Sequence, residues 1–218
     1  MKIATWNVER LKHKNELPQI IDNCKQVKAD IFVLTETDSR VKLDYSSCIS
    51  TTPPEDKTLF YKPTENRVTI YTKYETIKLH ETFDEHTAVC AELKTESGAL
   101  IVYGTIIGVY GNRNENFMQD LLCQVRDIER LAKESNLCVI GDFNCSFADN
   151  YYFTIDGRAV LEDVFSRNEM SLITRNKQAC IDHIAISQGF ITGFVAEVME
   201  WNIEKKLSDH KGIVIELT

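Results

Sequence analysis

Five short polar clusters interrupt the apolar pattern of this 218-residue chain: Trp6-Asn7-Val8-Glu9, Leu34-Thr35-Glu36-Thr37-Asp38, Gly141-Asp142-Phe143-Asn144, Ile181-Asp182-His183-Ile184 and Ser208-Asp209-His210. They sit at the ends of strand-like runs, where a rigid sheet can hold side chains in a cleft. Taken singly they have plain explanations. Gly-Asp-x-Asn is good turn chemistry, and Glu36 reads as an exposed strand end. Asp182 resists that reading, because a carboxylate inside an apolar strand is costly to bury unless it is paired. A histidine partner would account for it. Gathered in one place, these carboxylates, amides and an imidazole would supply acid–base groups and oxygen ligands for a hard cation.

The elements that must position these groups are mostly strands. Segments of period two, or short buried runs, predict strands over 2–6, 31–36, 58–61, 67–74, 88–93, 100–107, 137–141, 181–187, 194–199 and 212–217, and their richness in Val, Ile, Thr and Tyr supports this. Two stretches have helical spacing instead. Leu17, Ile20, Ile21, Cys24 and Val27 form one apolar stripe, with Pro18 tolerable in the first turn. Phe117, Met118, Leu121, Leu122, Val125, Ile128 and Ala132 form another. A third helix is predicted over about 158–167. Many strands with few helices point to a layered α/β or α+β architecture with sheet packed on sheet. The TTPPEDK stretch at 51–57 reads as a surface loop, and without repeats or Pro/Gly-rich linkers the expectation is one domain over 1–218.

Composition narrows the classes further. Hydrophobic residues make up 43% and charged residues 27%, which suits a soluble globular protein and excludes extensive disorder. No apolar run reaches the length of a signal peptide or a membrane span, so a cytoplasmic location is expected. The seven cysteines (Cys24, Cys48, Cys90, Cys123, Cys138, Cys145 and Cys180) are odd in number and contain no C-x-x-C, which favours reduced, buried thiols over a disulfide framework or a zinc site. The net charge of −8 argues against tight, non-specific binding of duplex nucleic acid. It does not exclude a nuclease, since carboxylates around a metal count negative in that sum.

In this order, W-N near the start, a Glu ending a strand, G-D-F-N, a D-x-I block and a C-terminal S-D-H, the clusters resemble the endonuclease/exonuclease/phosphatase superfamily over nearly the whole chain, from Trp6 to His210. The resemblance implies an α+β fold, a four-layer αββα sandwich of two mixed β-sheets flanked by helices. It also implies a hydrolase that cleaves a phosphoester by in-line attack of an activated water, with Mg²⁺ (or Mn²⁺) as cofactor. The substrate would be a phosphodiester in nucleic acid or a smaller phosphoester; oligomeric state stays open. Carried onto this sequence, Glu36 is the metal ligand, and Glu9 and Asp209 complete or support the metal site. His210 contacts the scissile phosphate as general base or transition-state stabiliser, and Asp182 orients it. Asp142 orients or deprotonates the water, while Asn144 and Asn7 hold the nucleophile and the carboxylate network.

Some residues fall outside this assignment. His183 adjoins Asp182 on a strand and must point the other way, so it is expected to be a structural hydrogen bonder. Cys145 has no evident base and reads as a packing residue. After the run at 100–105 many family members carry a His or Tyr that reaches the phosphate, whereas this chain has Ile106 and Ile107. Tyr110, Asn112 and Arg113 are nearby stand-ins, and Arg10 and Lys12 are further candidates for phosphate contact. The departure leaves an alternative: a catalytically degenerate member that binds a phosphorylated ligand or partner. A third reading is an unrelated layered protein whose clusters are turns that never converge.

Overall fold

The computed structural model describes residues 1–53, 61–109 and 111–218. Its strands are β1 (Lys2–Asn7), β2 (Ile31–Asp38), β3 (Ser47–Ser50), β4 (Glu65–Thr72), β5 (Glu75–His80), β6 (Ala88–Thr95), β7 (Gly98–Ile106), β8 (Leu137–Asp142), β9 (Met170–Leu172), β10 (Asp182–Ser187), β11 (Ala196–Trp201) and β12 (Gly212–Leu217). The helices are α1 (Leu17–Val27), α2 (Phe117–Leu131), α3 (Ile155–Arg167) and the single turn α4 (Gln188–Ile191). Two six-stranded sheets result, ordered β11-β12-β1-β2-β4-β3 and β5-β6-β7-β8-β10-β9. Each is mixed: β1–β2 and β7–β8 run parallel, and the other pairs run antiparallel.

Three apolar clusters lie between four layers. Alternate residues of both sheets, among them Ile3, Val33 and Ile70 from the first and Val102, Ile140 and Ile184 from the second, form the core between the sheets. The opposite faces of the same strands carry Ala4, Phe32 and Leu34 under α1, and Ile101, Tyr103 and Val139 under α2 and α3. The expected αββα sandwich is therefore present. Helix α1 follows the predicted stripe, with Pro18 in its first turn and Lys28 closing it in the left-handed conformation at φ +51°. Helix α3 starts three residues earlier than expected. The Thr154 side chain caps it by accepting from the Gly157 N–H at 3.0 Å.

Three edge or near-edge strands, β3, β5 and β9, lie outside the expected set, and the expected strand at 194–199 falls two residues later. The edge strand β5 leaves Ile77 and Leu79 exposed and carries an irregularity between Thr76 and Lys78, so its apolar residues do not alternate with burial. Most of the expected strand at 58–61 and of the loop at 51–57 lies outside the described residues. All seven cysteines are free, with Cys48 exposed, Cys123 half-buried and the other five buried. Among the described residues no helix is long and apolar enough to cross a membrane.

Candidate active site

Strand alternation delivers three of the polar side chains to the gap between the sheets. Ile3 on β1, Ile140 on β8 and Ile184 on β10 all belong to the inter-sheet core. Asn7, Asp142 and Asp182 share their parity at the ends of the same strands. Asp142 and Asp182 are also cross-strand partners on β8 and β10, so two carboxylates stand side by side. Glu36 departs from this rule. Its parity matches Phe32 and Leu34, which face α1, yet its φ of +43° breaks the pleat and turns the side chain towards Asn7. Asn144, at φ +47°, is likewise left-handed. Such conformations cost a non-glycine residue on the order of 1–3 kcal/mol and concentrate at functional sites.

Asn7 links the two sheets. Its Nδ2 donates to Asp142 Oδ2 at 3.2 Å and lies 3.5 Å from Glu36 Oε1, while its Oδ1 accepts from the Glu9 N–H at 2.9 Å. Asp142 Oδ1 accepts from the Asn144 N–H at 2.8 Å. The Asn144 side chain points back and donates to the carbonyls of Ile107 and Gly108, at 3.0 and 3.3 Å. Burial, with the charges of Asp182 and Glu36 added to it, pushes Asp142 well above the usual carboxylate range despite the opposing pull of His210. Gly141 makes this turn possible. It adopts φ +137°, and a Cβ there would lie 2.1 Å from the Thr105 carbonyl oxygen.

His210 Nδ1–H donates to Asp182 Oδ2 at 2.6 Å, the short distance of a charge-assisted bond. Burial works against the imidazolium, but the charge and hydrogen bond of Asp182, joined by Asp142 and Asp209, overcome it and raise His210 to about 10. The ring is therefore cationic at neutral pH. Asp182 Oδ1 is buried without a hydrogen-bond partner among the described residues, so the imidazolium is the main compensation for that carboxylate.

Glu9 and Asp209 form a second group. Glu9 accepts from Lys12 Nζ at 2.6 Å and from the Asp209 N–H at 2.9 Å, and these bonds outweigh burial and hold it below the usual carboxylate range. Burial and the nearby Glu9 raise Asp209, which lies 3.5 Å from His210 Nε2. Glu36 is held more loosely: Arg10 Nε is 3.4 Å from Oε2, and Asn7 Nδ2 is 3.5 Å from Oε1. A loosely held carboxylate beside a second, buried one fits a hard divalent cation, which binds through one or two carboxylates and keeps several of its waters. Among the described residues no group of three or more His, Cys, Asp or Glu side chains that could hold a metal ion is present. Glu9 is already bonded to Lys12 and to the Asp209 N–H.

His183 faces away from Asp182, as alternation requires. It is fully buried, packs edge-on to Phe147 with ring centroids 4.9 Å apart, and bonds to Thr174 Oγ1 at 2.8 Å and to the Cys145 carbonyl at 3.0 Å. Burial holds it down at about 4, so it is a neutral core residue. Cys145 is buried, and burial raises its thiol to about 11. Ile106 packs in the inter-sheet core and Ile107 under α2, so neither reaches the site. Asn112 is buried and donates to the Asn144 carbonyl at 2.8 Å, which makes it a brace for that loop. Arg113 lies 5.8 Å from the Tyr152 ring centroid, and Tyr110 lies outside the described residues. Sequence reasoning missed Tyr151, Tyr152 and Lys205, which line a recess of about 250 Å³ with Asn144, Asp209 and His210. Single loop residues carry no periodic signal by which to find them.

Comparison with known proteins bears on the fold and the family. The model of the Endonuclease/Exonuclease/phosphatase family matches residues 4–210. No curated protein sequence matches the chain. Among solved structures, an AP endonuclease from Archaeoglobus fulgidus superposes with a TM-score of 0.68 at 16% identity, covering 100% of this chain and 99% of that one. An endonuclease/exonuclease/phosphatase from Beutenbergia cavernae gives 0.70 at 11% identity, over 100% and 71% of the two chains. A humanized D. rerio TDP2 carrying 14 mutations gives 0.69 at 13% identity, over 100% and 98%. These likenesses concern the fold, whereas the family match spans all five polar clusters, and on that ground the chain belongs to the endonuclease/exonuclease/phosphatase family.

Proposed function

We propose that this protein hydrolyses phosphoesters by in-line attack of water, with the side chains of His210, Asp182, Asp142 and Asn7 and the backbone N–H of Asn144 as the working groups and Glu36 as the principal ligand of a Mg²⁺ or Mn²⁺ ion. The observation that carries the reading is convergence. Segments from both ends and the middle of the chain meet where Asn7 joins Glu36 to Asp142 and Asp182 joins His210. The ion, when bound at Glu36, would neutralise charge on the phosphoryl oxygens.

The remaining chemistry falls to the chain itself. The His210 imidazolium would hold a phosphoryl oxygen and stabilise charge that builds up in the transition state, a role that needs the proton on the ring. That favours electrostatic stabilisation over service as the general base. Asp142, held high by burial, is suited to take the proton of the attacking water, since a base works best with a pKa near the working pH. Asn7 and the Asn144 N–H fix the direction of the Asp142 carboxylate. The Glu9 carboxylate accepts from the Asp209 N–H and so ties the loop of His210 to the turn after β1.

Hydrolysis of bis-p-nitrophenyl phosphate and p-nitrophenyl phosphate tests this with added Mg²⁺ or Mn²⁺, EDTA, and the Glu36→Ala and His210→Ala variants. Metal-dependent turnover is expected, with loss of at least ~100-fold in either variant. The burial of Ile106 and Ile107 favours the second reading, a family member that binds a phosphorylated ligand without turnover. That reading would prevail if neither ester nor labelled oligonucleotides were cleaved while phosphate still bound.

A further inference from the structure

His210 stands on an irregular stretch between β11 and β12, where no ladder of backbone hydrogen bonds fixes its height or direction. Side chains fix it instead, and one of them bonds to three residues of the loop. Asn202 follows β11 directly, and its Nδ2 donates to the carbonyls of Ser208 at 2.8 Å and His210 at 2.7 Å. Its Oδ1 accepts from the Leu207 N–H at 3.1 Å. The His210 carbonyl also accepts from the Trp6 indole at 3.1 Å, and the His210 N–H donates to Ser208 Oγ at 3.1 Å. The Ser208 hydroxyl in turn donates to the Asn7 carbonyl at 2.6 Å. The backbone of His210 is therefore pinned on both sides, and Asn202 supplies three of the bonds that shape the loop.

The backbone adds a second constraint. Asn202 has φ +51°, in the left-handed region that asparagine tolerates better than most residues. The position thus asks for positive φ together with an amide bearing both donors and an acceptor, and asparagine meets both demands. Glycine would meet the first alone. Aspartate would keep the conformation and the Leu207 bond while losing both donors.

We infer that Asn202 is a positioning residue for His210, setting the height at which the imidazole meets Asp182 and the scissile phosphate. The inference rests on the role given to His210 above. Displacement of a reacting group by about 1 Å can cost on the order of 100-fold in rate. The role therefore appears in kcat and leaves KM alone.

The test compares Asn202→Gly and Asn202→Asp with the wild type. One measurement is kcat and KM on bis-p-nitrophenyl phosphate with Mn²⁺. The other is the downfield proton NMR signal of His210 Nδ1–H in metal-free protein, with thermal unfolding as the folding control. Both variants are expected to fold, to lose kcat by ~10- to 100-fold with KM within twofold, and to shift or broaden the Nδ1–H signal. An unchanged Nδ1–H signal in a folded variant, or kcat within twofold of wild type, overturns the inference. Asn202→Asp, which keeps the conformation and the Leu207 bond, decides the matter if Asn202→Gly fails to fold. Should the wild type cleave no ester, the functional reading fails, and the proton signal still decides whether Asn202 sets the imidazole.

Discussion

Replacing Asp182 by asparagine removes one charge from the site and little volume. The side chains concerned are 1% exposed for Asp182 and 12% for His210, so solvent screens their contact weakly. Burial alone would drive His210 below its ordinary value of 6.5, but Asp182, aided by Asp142 and Asp209, carries it to about 10. That distance corresponds to about 5 kcal/mol of net preference for the imidazolium, and the combined share of Asp182, Asp142 and Asp209 must exceed it because burial is overcome first. In Asp182→Asn, burial is opposed only by the more distant carboxylates, and the ring should be mostly neutral at pH 7.5. The assay is ¹⁵N-detected titration of the imidazole in metal-free protein from pH 5 to 11, with a midpoint near 10 expected for wild type and below 7 for the variant. Stability gives a second arm with a definite sign. A histidine raised in the folded state contributes fully below pH 6.5 and loses that contribution as pH rises through about 10. The stability advantage of wild type over Asp182→Asn should therefore shrink between pH 7 and 10, by about 3–4 kcal/mol. A variant that still titrates above pH 9 would refute the claim that Asp182 sets the charge of His210, and with it the electrostatic role.

Two further outcomes test the surroundings of the site. His183, buried and held down at about 4, stays neutral while the unfolded chain takes up a proton below pH 6.5, so it costs the fold progressively more as pH falls towards 4, reaching about 3 kcal/mol. Urea unfolding at pH 7.5 and pH 4.5 should show the advantage of wild type over His183→Gln narrowing by about 2–3 kcal/mol, and parallel pH curves would count against a neutral buried ring. Gly141→Ala places a Cβ 2.1 Å from a backbone oxygen at φ +137°, so Tm should fall on the order of 5–10 °C, and a Tm within a degree of wild type would show that the turn relaxes freely.

Much of this protein is local in origin and so legible in the sequence. Side-chain period fixes an element's type: 2.0 for the runs that became β1, β7 and β12, and 3.6 for the stripes of α1 and α2. The same alternation settled that Asp182 and His183 face opposite ways, and the order of the polar clusters carried the family. The edge strands β3, β5 and β9 escaped because an edge is held by backbone pairing on one side, and β5 can leave Ile77 and Leu79 in solvent without losing it. The site's geometry escaped for a related reason. The turn of Glu36 towards Asn7 depends on a positive φ that parity argues against, and the three bonds of Asn202 join residues that no periodic pattern connects. Sequence thus determined which groups were present and on which strand faces most of them lie. Tertiary structure alone decided which of them meet, because the placement of β1 between β2 and β12, and of β8 between β7 and β10, is set by long-range packing of whole faces and not by any local preference.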